Sequence, residues 1–181
     1  MADTLKPYSM ITDFVNGQEV PNIGAEENRQ AVAKYLVIGK GYSKDDIEVD
    51  VKIEMAIGGE NYCSRVDLVV RIPDANQLIM AIKCAAGSLG SREREIIAAA
   101  RLLEDYQIPY AVVSDGKTAI VLDTVSGKKT GAGMAAIPSK EAAISMLDSY
   151  QPISLPADRL EREKLIFRTY DSENVNVQRN I

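Results

Sequence analysis

The sequence predicts an α/β protein: a mixed central sheet flanked by helices, with additional helices at the C-terminal end. Three observations predict it. Three strand-like segments follow one another across short turns between Ile47 and Cys84. A helical segment then separates the last of them from another apolar strand, YAVVSD, which is the spacing of a crossover connection. Further helical segments stand before and after the strands, able to cover the sheet's faces.

The elements are expected in this order. Residues 1–24 form an irregular N-terminal arm punctuated by Gly17, Pro21 and Gly24. AEENRQAVAKYLVIGKGY, from Ala25, is a helix. Val32, Tyr35, Leu36 and Gly39 share its stripe, acids occupy its first turn, and Gly39 and Gly41 stop it. IEVDVKIEMAI, from Ile47 to Ile57, alternates apolar and charged residues, so its apolar set should face one way. YCSRVDLVVRI, from Tyr62 to Ile72, is the second strand, and PDANQ turns the chain into the third, QLIMAIKC. Short turns between consecutive strands imply an antiparallel meander.

A helix follows from Ser91, a suitable N-cap, to about Tyr106. Tyr110–Asp115 and Thr118–Thr124 are strands of a hairpin. Ser126–Pro138 is glycine-rich and reads as a loop, Ser139–Tyr150 as a helix, and the segment from Pro156 as a last helix with proline at its start. Residues 171–181 are polar and expected to fray. The division is therefore an arm at 1–24, a core at 25–125, and a loop with packed helices at 126–181.

Composition narrows the chemistry. The 181 residues suffice for one domain, and 46% hydrophobic with 26% charged is globular composition. A net charge of −5 argues against nucleic-acid binding by bulk charge. The chain has no histidine, which removes Ser-His-Asp and Cys-His catalysis and histidine metal sites. A metal would be held by carboxylates and carbonyls, favouring magnesium, manganese or calcium. The two cysteines, Cys63 and Cys84, lack CxxC spacing and lie in apolar contexts. They are expected as buried free thiols, which suits a reducing cytoplasm. The N-terminus lacks a signal-peptide pattern, and no apolar run reaches the ~18 residues of a membrane span.

One residue breaks the pattern. From Leu78 to Ala86 every residue is apolar or small except Lys83. Burying an unpaired ammonium costs several kcal/mol, so Lys83 requires a partner. Strand alternation puts Arg65, Asp67 and Val69 on one face and Ile79, Ala81 and Lys83 on one face of the next strand. Asp67 and Lys83 should therefore meet. A carboxylate beside a lysine in an apolar sheet can hold a divalent cation, while the lysine stabilises developing negative charge.

The pieces EENRQAVAKYLVIGKGY, RVDLVV, MAIKCAA and VVSDGKTAIVLDT resemble, over about residues 25–125, the PD-(D/E)xK nuclease superfamily. More narrowly they resemble the N-terminal nuclease domain of type I restriction enzyme R subunits. The resemblance implies a restriction-endonuclease-like fold and a magnesium or manganese cofactor. It makes Asp67 the metal-binding aspartate and Lys83 the catalytic lysine, and it lets the carbonyl of Ile82 complete the metal shell. Glu26 or Glu27 matches the acid that some members place on the first helix. The pattern departs at position 81, where Ala81 stands for an acid. Glu27 is one replacement. Glu95, twelve residues after Lys83, matches members that move the acid onto the following helix, and Glu93 fits that spacing more loosely.

Each residue also has a plain structural reading. Asp67 and Lys83 can be a cross-strand ion pair, Glu26 and Glu27 ordinary helix N-terminal acids, and SREREI a solvated first turn. GSLGSRER resembles an anion-binding loop in which Arg92 or Arg94 contacts phosphate or DNA. Two functions follow as expectations. One is a cytoplasmic, magnesium-dependent DNA endonuclease related to type I restriction. The other is a degenerate nuclease-fold module for DNA or protein binding or assembly. DNA, a protein partner or a second copy of the chain are the partners expected, and a free nuclease domain without a translocase would need another subunit to bring it DNA.

Overall fold

A computed structural model describes residues 8–173. Two short strands, β1 (Met10–Thr12) and β2 (Glu19–Pro21), pair as an antiparallel hairpin. Helix α1 (Glu26–Lys40) follows, then β3 (Ile47–Ile57), β4 (Glu60–Ile72) and β5 (Gln77–Cys84). Helix α2 (Glu93–Leu102) leads to β6 (Tyr110–Ser114), β7 (Ala119–Asp123) and β8 (Lys129–Ala132). Helices α3 (Lys140–Leu147) and α4 (Ala157–Tyr170) complete the order.

The main sheet has six strands in chain order, β3-β4-β5-β6-β7-β8. Only β5 and β6 run parallel, and α2 makes the crossover between them. Two layers of core lie on the sheet. Val32, Ala33 and Leu36 of α1 and Ala143 of α3 pack on Leu68, Val70, Met80 and Ile82. On the other face Ile96, Ala98, Ala99 and Ala100 of α2 and Phe167 of α4 pack on Val69, Ala81, Ala111 and Val113. The fold is thus the mixed α/β arrangement the sequence predicts.

The strict alternation expected for β3 is broken at Asp50. Ile47 and Val49 pack on the α1 side, whereas Val51 and Ile53 pack on the α2 side. Asp50 has φ 51°, the left-handed region that only Gly, Asn and Asp visit readily. β4 reverses at the same level. Val66 packs on the α2 side and Leu68 on the α1 side, with Asp67 between them. Val49 pairs with Leu68 and Val51 with Val66, so the register is continuous and only the pleat inverts. Arg65 and Asp67 therefore do not share one face with Val69 through regular alternation. Ile79 likewise departs from the face of Ala81: the β4–β5 register shifts between Val70 and Arg71, and Ile79 joins the α1-side core.

Other differences are local. The arm contains the β1–β2 hairpin because Asp13 caps its turn, accepting the N–H groups of Val15 and Asn16. Part of the glycine-rich stretch is β8, whose Gly131 lets the strand approach Ala136: a Cβ at that glycine would lie 2.7 Å from the Ala136 Cβ. Gly39 lies inside α1, and Gly41, left-handed at φ 77°, terminates it. Ser91 does not cap α2; its hydroxyl donates to the carbonyl of Ser88, and a 3-10 turn at Gly90–Arg92 precedes the helix. Ser139 does cap α3, accepting the N–H of Ala142. Both cysteines are free, Cys84 buried as expected but Cys63 exposed. No helix among the described residues is long and apolar enough to cross a membrane. Of residues 171–181, expected to fray, Asp171 and Ser172 are instead buried and Glu173 contacts Lys83, because α4 docks them on the core, while 174–181 fall outside the described residues.

Candidate functional site

Lys83 is 6% exposed and has three carboxylate neighbours. Its Nζ lies 3.5 Å from Asp67 Oδ2, 3.5 Å from Glu95 Oε1 and 3.0 Å from Glu173 Oε1. Three different levels of structure bring them together. The paired inversion at Asp50 and Asp67 points Asp67 towards the end of β5, where its Oδ2 accepts the Cys84 N–H at 2.6 Å. The crossover places the first turn of α2, and so Glu95, above Lys83. Helix α4 runs along α2 and delivers Asp171, Ser172 and Glu173. The Tyr62 hydroxyl donates to Asp171 at 2.6 Å, while the Ser172 N–H and hydroxyl donate to Glu95 Oε1 at 3.2 and 2.9 Å.

Asp67, Lys83, Cys84, Ser172 and Glu173 border an open cleft of about 500 Å³, while Glu95, 3% exposed, lies behind Lys83 and does not line it. Its far wall is the start of α1, tied to the end of β5 by the Asn28 side chain, which donates to the Ala85 carbonyl at 2.7 Å. Glu26, Arg29, Asp50 and Arg92 also line it. Arg29 joins the wall to the hairpin, contacting Asp13 at 3.0 Å and Glu26 at 2.8 Å. Its Nη1 is buried without a hydrogen-bond partner among the described residues.

The electrostatics follow from burial and crowding. Burial pushes the Asp67 carboxyl up to about 6, and the Glu173 and Glu95 charges push the same way against Lys83 and the Cys84 N–H. Burial alone would lower Lys83, but Asp67, Glu95 and Glu173 outweigh it and hold the ammonium above its usual value. The lysine is thus charged, and the carboxylates around it exceed it in number.

The residues singled out from sequence divide as follows. Asp67, Lys83 and Glu95 come together, and Arg92 stands beside them with its Nη1 3.7 Å from Glu95 Oε2. Ile82 is fully buried in the central strand, its side chain on the α1 side. Glu27 does not reach the cleft: it is exposed and accepts a hydrogen bond from Asn22, while its neighbour Glu26 faces inward. Helical geometry separates adjacent residues by about 100°, so one of the two must turn away. Arg94 likewise leaves the cleft and lies over the Tyr170 ring at 5.5 Å. Glu173 had no signal in the sequence, because it follows a helix far along the chain and reaches Lys83 only when α4 docks.

A divalent cation can be weighed against this donor set. Glu95 Oε2 is buried and lacks a hydrogen-bond partner, and Asp67 has an oxygen beyond the one on Cys84. Both suit a hard cation. Ala81 is 0% exposed and packs in the α2-side core, so it supplies no ligand. No group of three or more acidic or thiol side chains among the described residues is arranged around an ion position. Asp67 and Glu95 alone are placed as carboxylate ligands, so water and carbonyl oxygens would have to fill the other positions around any cation.

The mixed sheet flanked by helices is an α/β architecture consistent with a nuclease-like fold, and Lys83 with its carboxylates lies at the end of the strand that enters the crossover helix. Residues 24–138 match the family model described as type I restriction enzyme R protein N terminus (HSDR_N). That covers more than half of the chain, which belongs to this family. No curated protein and no solved structure matches it. The matched span contains Asp67, Lys83 and Glu95 but neither α4 nor Glu173.

Proposed function

We propose that this chain is a magnesium- or manganese-dependent DNA endonuclease module of the restriction-endonuclease-like type, in which Glu95 replaces the acid absent at Ala81. The observation that carries this reading is the equal 3.5 Å approach of Asp67 and Glu95 to Lys83. Asp67 and Glu95 would hold the cation, with the Ile82 carbonyl as a further oxygen ligand. Bound there, the cation would neutralise phosphate charge and make its water more acidic.

The protein's own groups have separate tasks. Lys83, fixed by its carboxylates and kept charged, stabilises negative charge on a phosphate. The Cys84 N–H and the Ser172 hydroxyl orient Asp67 and Glu95. Arg92 is placed to contact phosphate at the mouth of the cleft. Glu173 occupies one side of Lys83, so substrate must share or displace that contact.

A second reading is a catalytically degenerate module kept for DNA or protein binding. Two observations favour it: the apolar packing of Ala81 and the lack of a three-acid cluster among the described residues. Calorimetric titration of magnesium and manganese, wild type beside Asp67→Ala and Glu95→Gln, separates the two. Micromolar to low-millimolar binding lost in both variants, followed by duplex or single-strand cleavage lost in Lys83→Ala, supports the nuclease. No binding with or without DNA present supports the degenerate module.

A further inference from the structure

A second cleft, of about 380 Å³, lies between α2, α4 and the turn at Ser126–Gly127. Arg94, Arg101, Arg159 and Arg162 line it, with Ile97 and Ile166 as apolar surface and Glu163 as its one carboxylate. Glu163 is already neutralised, since Arg101 holds it at 2.7 Å. Each nitrogen of Arg101 already has a partner, since it donates also to the carbonyls of Thr124 and Val125. The other three guanidiniums remain available. Arg162 makes no hydrogen bond or ion pair among the described residues. Arg159 approaches Glu163 only to 3.9 Å, and Arg94 meets just the Tyr170 hydroxyl and ring.

We infer that this groove binds the sugar–phosphate backbone of a nucleic-acid strand and guides it to the candidate site. The inference rests on the nuclease reading for the strand's destination. Three features favour a nucleic acid over an acidic peptide. The cationic groups are all arginine, whose planar fork matches phosphate. They flank apolar side chains on which sugars or bases can rest. The groove also leads to the chemistry: Arg94 precedes Glu95, and Tyr170 precedes the Asp171–Glu173 segment that reaches Lys83. From Arg159 to Tyr170 the helix rises about 16 Å, room for about five phosphates at roughly 3.4 Å of axis each. The basic groove stands out against a net charge of −5. It complements the acid-rich cleft next to it, one suited to phosphate and the other to a cation.

The test is fluorescence anisotropy with labelled single-stranded and duplex oligonucleotides across a salt series. It compares wild type with Arg94→Gln/Arg159→Gln/Arg162→Gln, the corresponding triple Lys variant, and a Lys52→Gln/Arg65→Gln/Lys117→Gln control elsewhere on the surface. The groove variant should bind at least tenfold more weakly at low salt. Its slope of log affinity against log salt should fall by about 2 on the strand form that binds. The Lys variant should recover most of that slope, and the control should match wild type. Thermal melts confirm that each variant is folded. An unchanged slope in the groove variant overturns the inference, as does absence of DNA binding by wild type or tighter binding to polyglutamate. Magnesium titration of the groove variant keeps the two proposals apart, because cation binding at Asp67 should survive there whatever happens to DNA.

Discussion

Asp67 carries a pH dependence whose sign is set by its surroundings. Its folded carboxyl holds a proton up to about pH 6, against 3.8 as the ordinary value. Between those values the folded chain binds more protons than the unfolded one, so stability falls as pH rises from about 4 to 6. The full effect is at most about 3 kcal/mol, from roughly two pH units at 1.36 kcal/mol each. Asp67→Asn should flatten this slope in urea titrations between pH 4 and 7; an unchanged slope would place the titrating group elsewhere. Lys83 is the complementary case. Lys83→Met leaves Asp67 and Glu95 facing each other without their cation, and should destabilise the fold by about 3 kcal/mol at pH 7. Because the variant relieves no carboxylate, its loss should shrink as pH is lowered towards 4. The check is the same urea series.

At the scale of elements, the inversion shared by β3 and β4 is what makes a site out of a sheet. Regular alternation would keep Val66 on the face of Leu68; the inversion instead sets them on opposite faces with Asp67 between, its Oδ2 on the Cys84 N–H. Asp50 permits the inversion by accepting φ 51°. Asp50→Gly keeps that conformation and should change stability by less than about 1 kcal/mol, because relief of strain opposes the entropy of glycine. Asp50→Val cannot adopt it without strain and should cost more than about 1 kcal/mol. Thermal melts of the pair measure the difference. Equal stabilities would show that the backbone conformation at Asp50 is not what sustains the inversion.

For the whole molecule, α4 is the coupling element. Phe167 is 1% exposed and meets Tyr62 edge-on at 6.3 Å, while Tyr62 holds Asp171. The packing of this helix therefore positions Ser172 on Glu95 and Glu173 on Lys83. Phe167→Ala should cost about 3–5 kcal/mol by cavity formation. It should also weaken magnesium binding under conditions where the variant is still folded, as measured by calorimetry beside a circular-dichroism melt. Loss of stability with unchanged cation affinity would mean that the cleft does not depend on α4.

The sequence by itself determined the layered α/β architecture, the crossover between β5 and β6, and the question posed by Lys83. Those features rest on short-range rules: apolar periodicity selects strand or helix, and a lone ammonium in an apolar run demands a counter-charge. It also brought Asp67 into view, because strand adjacency is local, whereas Glu95 came into view through the resemblance to nucleases that carry an acid on the following helix. It did not reveal the β1–β2 hairpin, strand β8, the pleat inversion at Asp50, or Glu173. Weak strands acquire their form from neighbours, and β8 becomes a strand only with β7 beside it. A positive φ at an aspartate leaves no periodic trace. Glu173 and the arginine groove exist only because α4 lies along α2, a contact between segments some seventy residues apart. Tertiary packing, through burial of Phe167 and the Arg101–Glu163 pair, decided which charges converge on Lys83 and which line the neighbouring groove.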